Sequence, residues 1–266
     1  MSSRDFSTIS PSAKALLLVK AQTTVPYARP AAEILFGREA VDEAARETAA
    51  KPEAAARRRH FELRARSLDD ALEDLGATRV LEVAAGLSFR GLAMAERSGV
   101  FYLDTDLPEI AAIKSTLLPS LHPAPLAGTL RIQALDALDA VAFRAAVAGM
   151  PTGPIAVVHE GLLMYLDDGE KARLASCVRE ALLERGGAWI TADVYVRSRA
   201  PVYREERTKA FLEAHRVEEK KFADLAAAES FFTSHGFSVE RTIAPEADPW
   251  SVRQTWVLTA RSGALR

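Results

Sequence analysis

The sequence predicts an α/β fold, a doubly wound, seven-stranded, mostly parallel sheet that follows an N-terminal helical cap. Three observations predict it. The hydrophobic pattern changes once, near residue 78, from helix-period stripes to short β-rich runs. Beyond that point the runs alternate with helical segments headed by Pro, Asp or Ser, which implies right-handed βαβ units in a single sheet with helices on both faces. The last two runs are joined by the loop "APEADPWSVRQ" alone, so they must form an antiparallel pair at one edge of the sheet.

Taken in order, "SPSAKALLLVKA" opens the first helix, with Ser10 as N-cap and Pro11 at the first helical position. A longer helix follows Pro52 through "EAAARRRHFELRARSLDDALEDLG" and stops at Gly76. The strands are "RVLEVA" (79–84), "VFYLD" (100–104), "LRIQAL" (130–135), "IAVVHE" (155–160), "AWITADV" (188–194), "FSVERTI" (237–243) and "TWVLTA" (255–260). The expected organisation is a helical cap over 1–77 and a core over 78–266, folded as one domain. A segment inserted at about 195–225 is expected to shape a ligand pocket.

Composition narrows the function classes. A chain of 266 residues, 48% hydrophobic, supports one sizeable core. Its 34 basic and 36 acidic residues leave a formal charge of -2, so no strong field draws nucleic acid or an anionic membrane. A single cysteine, Cys177, leaves no internal disulfide and no cysteine metal site. The start "MSSRDFSTIS" carries an acid and no apolar leader, which makes a cytoplasmic location the expectation.

Ligands in doubly wound sheets sit beyond the carboxyl ends of the strands. After the first run come Ala84, Ala85, Gly86, Leu87 and Ser88, small enough at 84–86 for a backbone to approach a ligand. The G-x-G-x-x-G phosphate turn is missing from "AAGLSF", which disfavours a dinucleotide. Asp104 and Asp106 in "DTDLPE" stand where an acid accepts from ribose hydroxyls, although either Asp alone also reads as a loop cap. Asp136 after the third run reads equally as an adenine acceptor or a capping residue. His159 and Glu160 interrupt an otherwise apolar stretch from Ile155 to Leu166, and a carboxylate held there needs a partner. Upstream, Phe61, Leu68, Leu72 and Leu75 form a stripe that Arg64 shares, and Lys14 precedes Leu17 and Leu18 by one turn.

The segments "AAGLSFRGL", "FYLDTDLPEIAAIKSTLL" and "HEGLLMYL", with "HFELRARSLDD" upstream, resemble the leucine carboxyl methyltransferase family of S-adenosylmethionine (SAM) enzymes, over roughly residues 10 to 260. The resemblance implies the methyltransferase version of the fold, SAM as cofactor and no metal. It also implies that Lys14 and Arg64 hold the methionine carboxylate of SAM and that Gly86 lets the backbone pass under it. Asp106 would then take the ribose, Asp136 and Ala137 border the adenine, and Glu160 face the methionine amino group. Glu82, Ala84 and Asp104 complete the expected cofactor-binding set. Two departures stand out: Ala84 replaces the first glycine of the family's G-x-G, and Ser88-Phe89-Arg90 replaces an Asp-Thr-Arg-like trio. The loss of that glycine means either a backbone φ below zero at Ala84, which alanine tolerates and which is the expectation, or cofactor binding that is weakened or lost.

The function so implied is SAM-dependent O-methylation of a carboxylate on a small metabolite. Methylation of a hydroxyl or other heteroatom, and a scaffold that binds SAM without turnover, are the alternatives. A carboxylate acceptor is ionised at neutral pH and needs no base, whereas a hydroxyl needs one, for which His159 is the candidate. Tyr195 and Tyr203, with Arg197, Arg199 and Arg204, are the candidate acceptor-site residues of the insertion.

Overall fold

Apolar runs and capped helices alternate along the chain after residue 78, and they assemble into the expected sheet. The computed structural model describes residues 9–197, 210, 212–245 and 252–262. Four helices come first: α1 Ile9–Lys20, α2 Ala28–Phe36, α3 Arg38–Thr48 and α4 Pro52–Asp74. Then follow β1 Arg79–Glu82, α5 Arg90–Ala95, β2 Phe101–Asp106, α6 Pro108–Leu121, β3 Thr129–Ala134, α7 Ala140–Ala148, β4 Ile155–His159 and α8 Asp168–Arg185. The chain closes with β5 Gly187–Tyr195, α9 Val217–Lys220, α10 Leu225–Ser234, β6 Phe237–Ile243 and β7 Arg253–Ala260.

The seven strands are ordered β3-β2-β1-β4-β5-β7-β6. β1 to β5 run parallel, while β7 is antiparallel to both β5 and β6. β7 therefore lies inside β6, which forms the edge. The order reverses between β1 and β4, and a crevice opens at their carboxyl ends.

Alternation along the central strands divides the core between two faces. Leu81, Val157 and Trp189 pack on one side, where the Trp189 ring meets Phe232 at 5.3 Å and Phe237 at 5.1 Å between centroids. Val80, Val158 and Ile190 pack on the other against Leu68 and Leu72 of α4. The α4 stripe thus buries Leu68 and Leu72, but Leu75 is 48% exposed at the point where the helix ends. α1 and α2 pack through Leu17 and Ala28 against Leu92 of α5 and Ile110 of α6, which places the cap over the carboxyl ends of β1 and β2.

Local signals explain most boundaries. Asp167 and Glu170 form a reciprocal capping box on α8, and Asp139 and Asp224 cap α7 and α10. Ser10, expected at the N-cap, lies within α1, which already includes Ile9. α2 and α3 were not visible in the pattern. Neither has a side-chain N-cap, and only Gly37, at φ +86°, separates them. Cys177 is buried and free, and among the described residues no helix is long and apolar enough to cross a membrane.

Candidate active site

β1 ends at Glu82, and the chain then turns sharply beneath α1. Gly86 has φ +57° and Ala84 has φ +51°. The expectation of a negative φ at Ala84 is therefore corrected: the turn keeps the left-handed conformation for which glycine is suited and carries its cost on a Cβ. Asp106, the last residue of β2, fastens this turn. Its Oδ2 accepts the Gly86 N–H at 2.6 Å and its Oδ1 accepts the Leu107 N–H at 2.7 Å. One testable consequence is that Ala84→Gly raises folding stability by about 1 kcal/mol, the steric relief being partly offset by the looser unfolded chain. A denaturant midpoint that falls instead would overturn the assigned turn geometry.

Across the crevice, Glu160 follows β4 and is almost fully buried under three cations. Lys20 Nζ of α1 lies 2.6 Å from its Oε1, Arg64 Nε of α4 3.0 Å from the same oxygen, and Arg90 Nη2 of α5 3.0 Å from Oε2. Burial pushes the Glu160 carboxyl up, but Lys20, Arg64 and Arg90 outweigh it and hold the group well below its ordinary value of 4.5. Arg64 is itself aimed by Tyr195, whose hydroxyl accepts from Arg64 Nη1 at 3.1 Å and lies 2.9 Å from His60 Nε2. Gly161 has φ +80°, and a Cβ there would stand 3.3 Å from Arg64 Nη2, so this position favours glycine on both counts.

The loop behind Glu160 is held from β5. Asp193 accepts the N–H groups of Gly161 at 2.7 Å, Leu162 at 2.6 Å and Leu163 at 3.2 Å, and pairs with His159 Nδ1 at 2.9 Å. His159 is completely buried, and its ring lies 5.6 Å from that of Trp189. A base must reach the proton it takes, so His159 is not placed as one. Its placement corrects the expectation of a general base at the strand end.

The expected set thus divides. Arg64, Gly86, Asp106 and Glu160 converge on the crevice. Glu82 does not: it is fully buried, bound by Arg90 Nη1 and by the Tyr102 hydroxyl at 2.7 Å. Asp104 also points away from the crevice, because β2 runs on to Asp106 and leaves Asp104 inside the strand, paired with Lys114. Burial, partly offset by Lys114, pushes the Asp104 carboxyl up to about 7. Asp136 is exposed just past β3 and accepts the Leu138 N–H at 2.9 Å, a capping geometry that leaves its other oxygen open, and Ala137 is buried beside it. Tyr195 belongs to β5 rather than to the insertion, and its hydroxyl is committed to Arg64 and His60. Tyr203, Arg199 and Arg204 lie outside the described residues. Arg197 donates to the Glu219 carbonyl at 2.8 Å.

Lys14 is half-buried on α1, outside the lining of the cleft between α1 and the Gly86 turn. Lys20 lies in that lining with Ala13 and Leu17. The spacing 13, 17, 20 is one helical face, and this was the signal available in the sequence for Lys20. Six residues separate Lys14 from Lys20, which turns them roughly 120° apart around the helix.

Comparison with known proteins identifies the family and the fold. The family model for leucine carboxyl methyltransferases matches residues 7–179. A protein of Mycobacterium avium (strain 104), assigned as an S-adenosyl-L-methionine-dependent methyltransferase, is 34% identical over 106 residues, which are 40% of this chain and 33% of that protein. One of Mycobacterium sp. (strain KMS) with the same assignment is 28% identical over 179 residues, 65% of this chain and 58% of that one. The match therefore spans from a third to under two thirds of the length of these relatives. Among solved structures, magnesium protoporphyrin IX methyltransferase (ChlM) from Synechocystis PCC 6803 with bound SAH superposes with a TM-score of 0.52 at 12% identity, covering 88% of this chain and 100% of that one. A DUF574 family protein of Streptomyces avermitilis gives 0.53 at 17%, covering 92% and 97%. At such identities the likeness is one of fold, the seven-stranded methyltransferase sheet. With the family model matching well over half of its length, the chain belongs to the leucine carboxyl methyltransferase family.

Proposed function

We propose that the protein binds S-adenosylmethionine between Glu160 and the Gly86 turn and transfers its methyl group to an oxygen of a small-molecule acceptor, a carboxylate in the first instance. The observation that carries this reading is the Glu160 carboxylate under Lys20, Arg64 and Arg90, next to a turn fastened by Asp106. The methionine end of SAM is a zwitterion. Its ammonium suits Glu160 and its carboxylate suits Arg64 and Lys20, so the group separates charges that neutralise each other in its absence and leaves no buried charge alone. Asp106 spends one lone pair per oxygen on backbone N–H groups and keeps others for ribose hydroxyls. Asp136 and Ala137, at the end of β3, are proposed to border the adenine.

Bound SAM supplies an electrophilic methyl on a sulfonium centre, which an acceptor oxygen displaces in line. The work of the chain is then to hold and orient both partners and to exclude water. Tyr195 and His60 aim Arg64, and Asp193 fixes the loop behind Glu160. The cleft between α1 and the Gly86 turn measures only about 40 Å³, so entry of a nucleoside-sized group requires α1 to move and Lys20 to release Glu160.

The burial of His159 supports the carboxylate reading over the hydroxyl one, because an ionised acceptor needs no base. A turnover screen over carboxylate and hydroxyl acceptors, read as S-adenosylhomocysteine formed, tests this. On any acceptor found, His159→Asn is expected to leave kcat within about tenfold, whereas loss of a true general base costs roughly 10²–10⁴-fold. A loss in that higher range with the unfolding midpoint unchanged would favour the hydroxyl reading. SAM binding with no turnover on any acceptor would favour a scaffold.

A further inference from the structure

Lysines are among the residues least often buried, yet Lys20, the last residue of α1, keeps only 5% of its side chain exposed. It is carried inward because it shares a helix face with Ala13 and Leu17, and that face lies over the Gly86 turn. Its two fellow cations on Glu160 each hold a further partner: Arg64 donates to the Tyr195 hydroxyl, and Arg90 pairs with Asp69 and Glu82. Lys20 differs. Among the described residues its Nζ bonds Glu160 alone, at 2.6 Å.

That partner is the group a ligand ammonium would take. Burial pushes the Lys20 ammonium below its ordinary value of 10.5, Arg64 and Arg90 push it the same way, and Glu160 acts against them. Moved off Glu160 but kept in the cleft, Lys20 would be a buried cation beside two guanidinium groups with no anion of its own, which is costly. A ligand that brings a carboxylate together with its ammonium supplies the missing anion. One that brings the ammonium alone strands Lys20 and adds a further positive charge. The four-carbon stem of lysine, with its freely turning donors, gives Lys20 the reach to change partners where the fixed forks of Arg64 and Arg90 do not.

We infer that Lys20 is a specificity-determining residue, which exchanges Glu160 for the carboxylate of the incoming ligand and so makes the site select a zwitterionic amino-acid end. The inference rests on the SAM site proposed at Glu160. It also gives α1 the part of a latch, tied to Glu160 without ligand and to the ligand's carboxylate with it.

Calorimetry of the full chain with S-adenosylhomocysteine and with its decarboxylated analogue, which keeps the nucleoside and the ammonium, tests this. Wild type is expected to bind the analogue about 100-fold more weakly, since two charge-assisted contacts to the carboxylate are lost at roughly tenfold or more each. Lys20→Met leaves Glu160 to Arg64 and Arg90 and strands no charge, and in it the preference is expected to shrink by about tenfold. Lys20→Gln, also without the charge, is expected to do the same. A purely structural role for Lys20 would move both affinities together and leave their ratio in place. The inference is overturned if wild type binds the two ligands about equally, or if the ratio stays within about threefold of wild type in both variants; in either case the SAM site itself stands. Wild type that binds no S-adenosylhomocysteine overturns that site and this inference with it.

Discussion

Glu160→Gln is expected to lower folding stability by about 3 kcal/mol and to remove SAM binding. The amide keeps the shape of the side chain but leaves Lys20, Arg64 and Arg90 buried around a neutral group, and breaking a buried charge set from one side costs roughly 3–5 kcal/mol. The pH dependence gives the claim a sign. The folded-state pKa of Glu160 is depressed, so its contribution is fully present above its ordinary value of 4.5 and is lost as pH falls through the folded-state value. The stability gap between wild type and variant should therefore be constant near neutrality and close only in acid. Urea unfolding of both proteins across pH 3 to 8 measures it, and a gap that widens in acid contradicts the account.

Arg64→Ala is expected to weaken SAM binding by about 1.5–3 kcal/mol, the scale of a charge-assisted hydrogen-bond pair. It should also destabilise the fold, because it leaves the Tyr195 hydroxyl and the Glu160 carboxylate short of one partner each. Arg64→Lys separates the two effects. The ammonium retains charge near Glu160 but not the planar second contact to Tyr195, so affinity should fall to an intermediate value. If calorimetry finds SAM affinity unchanged in Arg64→Ala while the unfolding midpoint drops, Arg64 serves the fold alone.

Much of the architecture is legible in the sequence because it rests on local pattern. Strands such as Ile155–His159 are short apolar runs between turn residues, and the loop-like sequence "APEADPWSVRQ" between the last two runs points to the antiparallel pair that Phe237–Ile243 and Arg253–Ala260 form. Position within the sheet is less legible. That β7 enters between β5 and β6 follows from packing on both neighbours, which no loop length records. The site divides in the same way. Gly86, Asp106, Arg64 and Glu160 stand out as strand-end residues or as charges in apolar surroundings. Lys20 does not, since its value lies in meeting Glu160 from 140 positions away, while Lys14 sits on the same helix with a similar local pattern. Asp104 misleads because the strand runs on two residues past the end of its apolar run, which turns a supposed loop acid into a buried strand residue. His159 misleads because Asp193, its partner, is contributed by another strand.

The central claim is a SAM site at Glu160, and isothermal calorimetry of the purified protein with SAM, S-adenosylhomocysteine and NAD tests it most directly. The account predicts micromolar dissociation constants, about 8 kcal/mol of binding free energy, for SAM and S-adenosylhomocysteine, with NAD far weaker because the turn at 84–88 lacks the glycine pattern that seats a pyrophosphate. No detectable binding of SAM, or tighter binding of NAD, would contradict it.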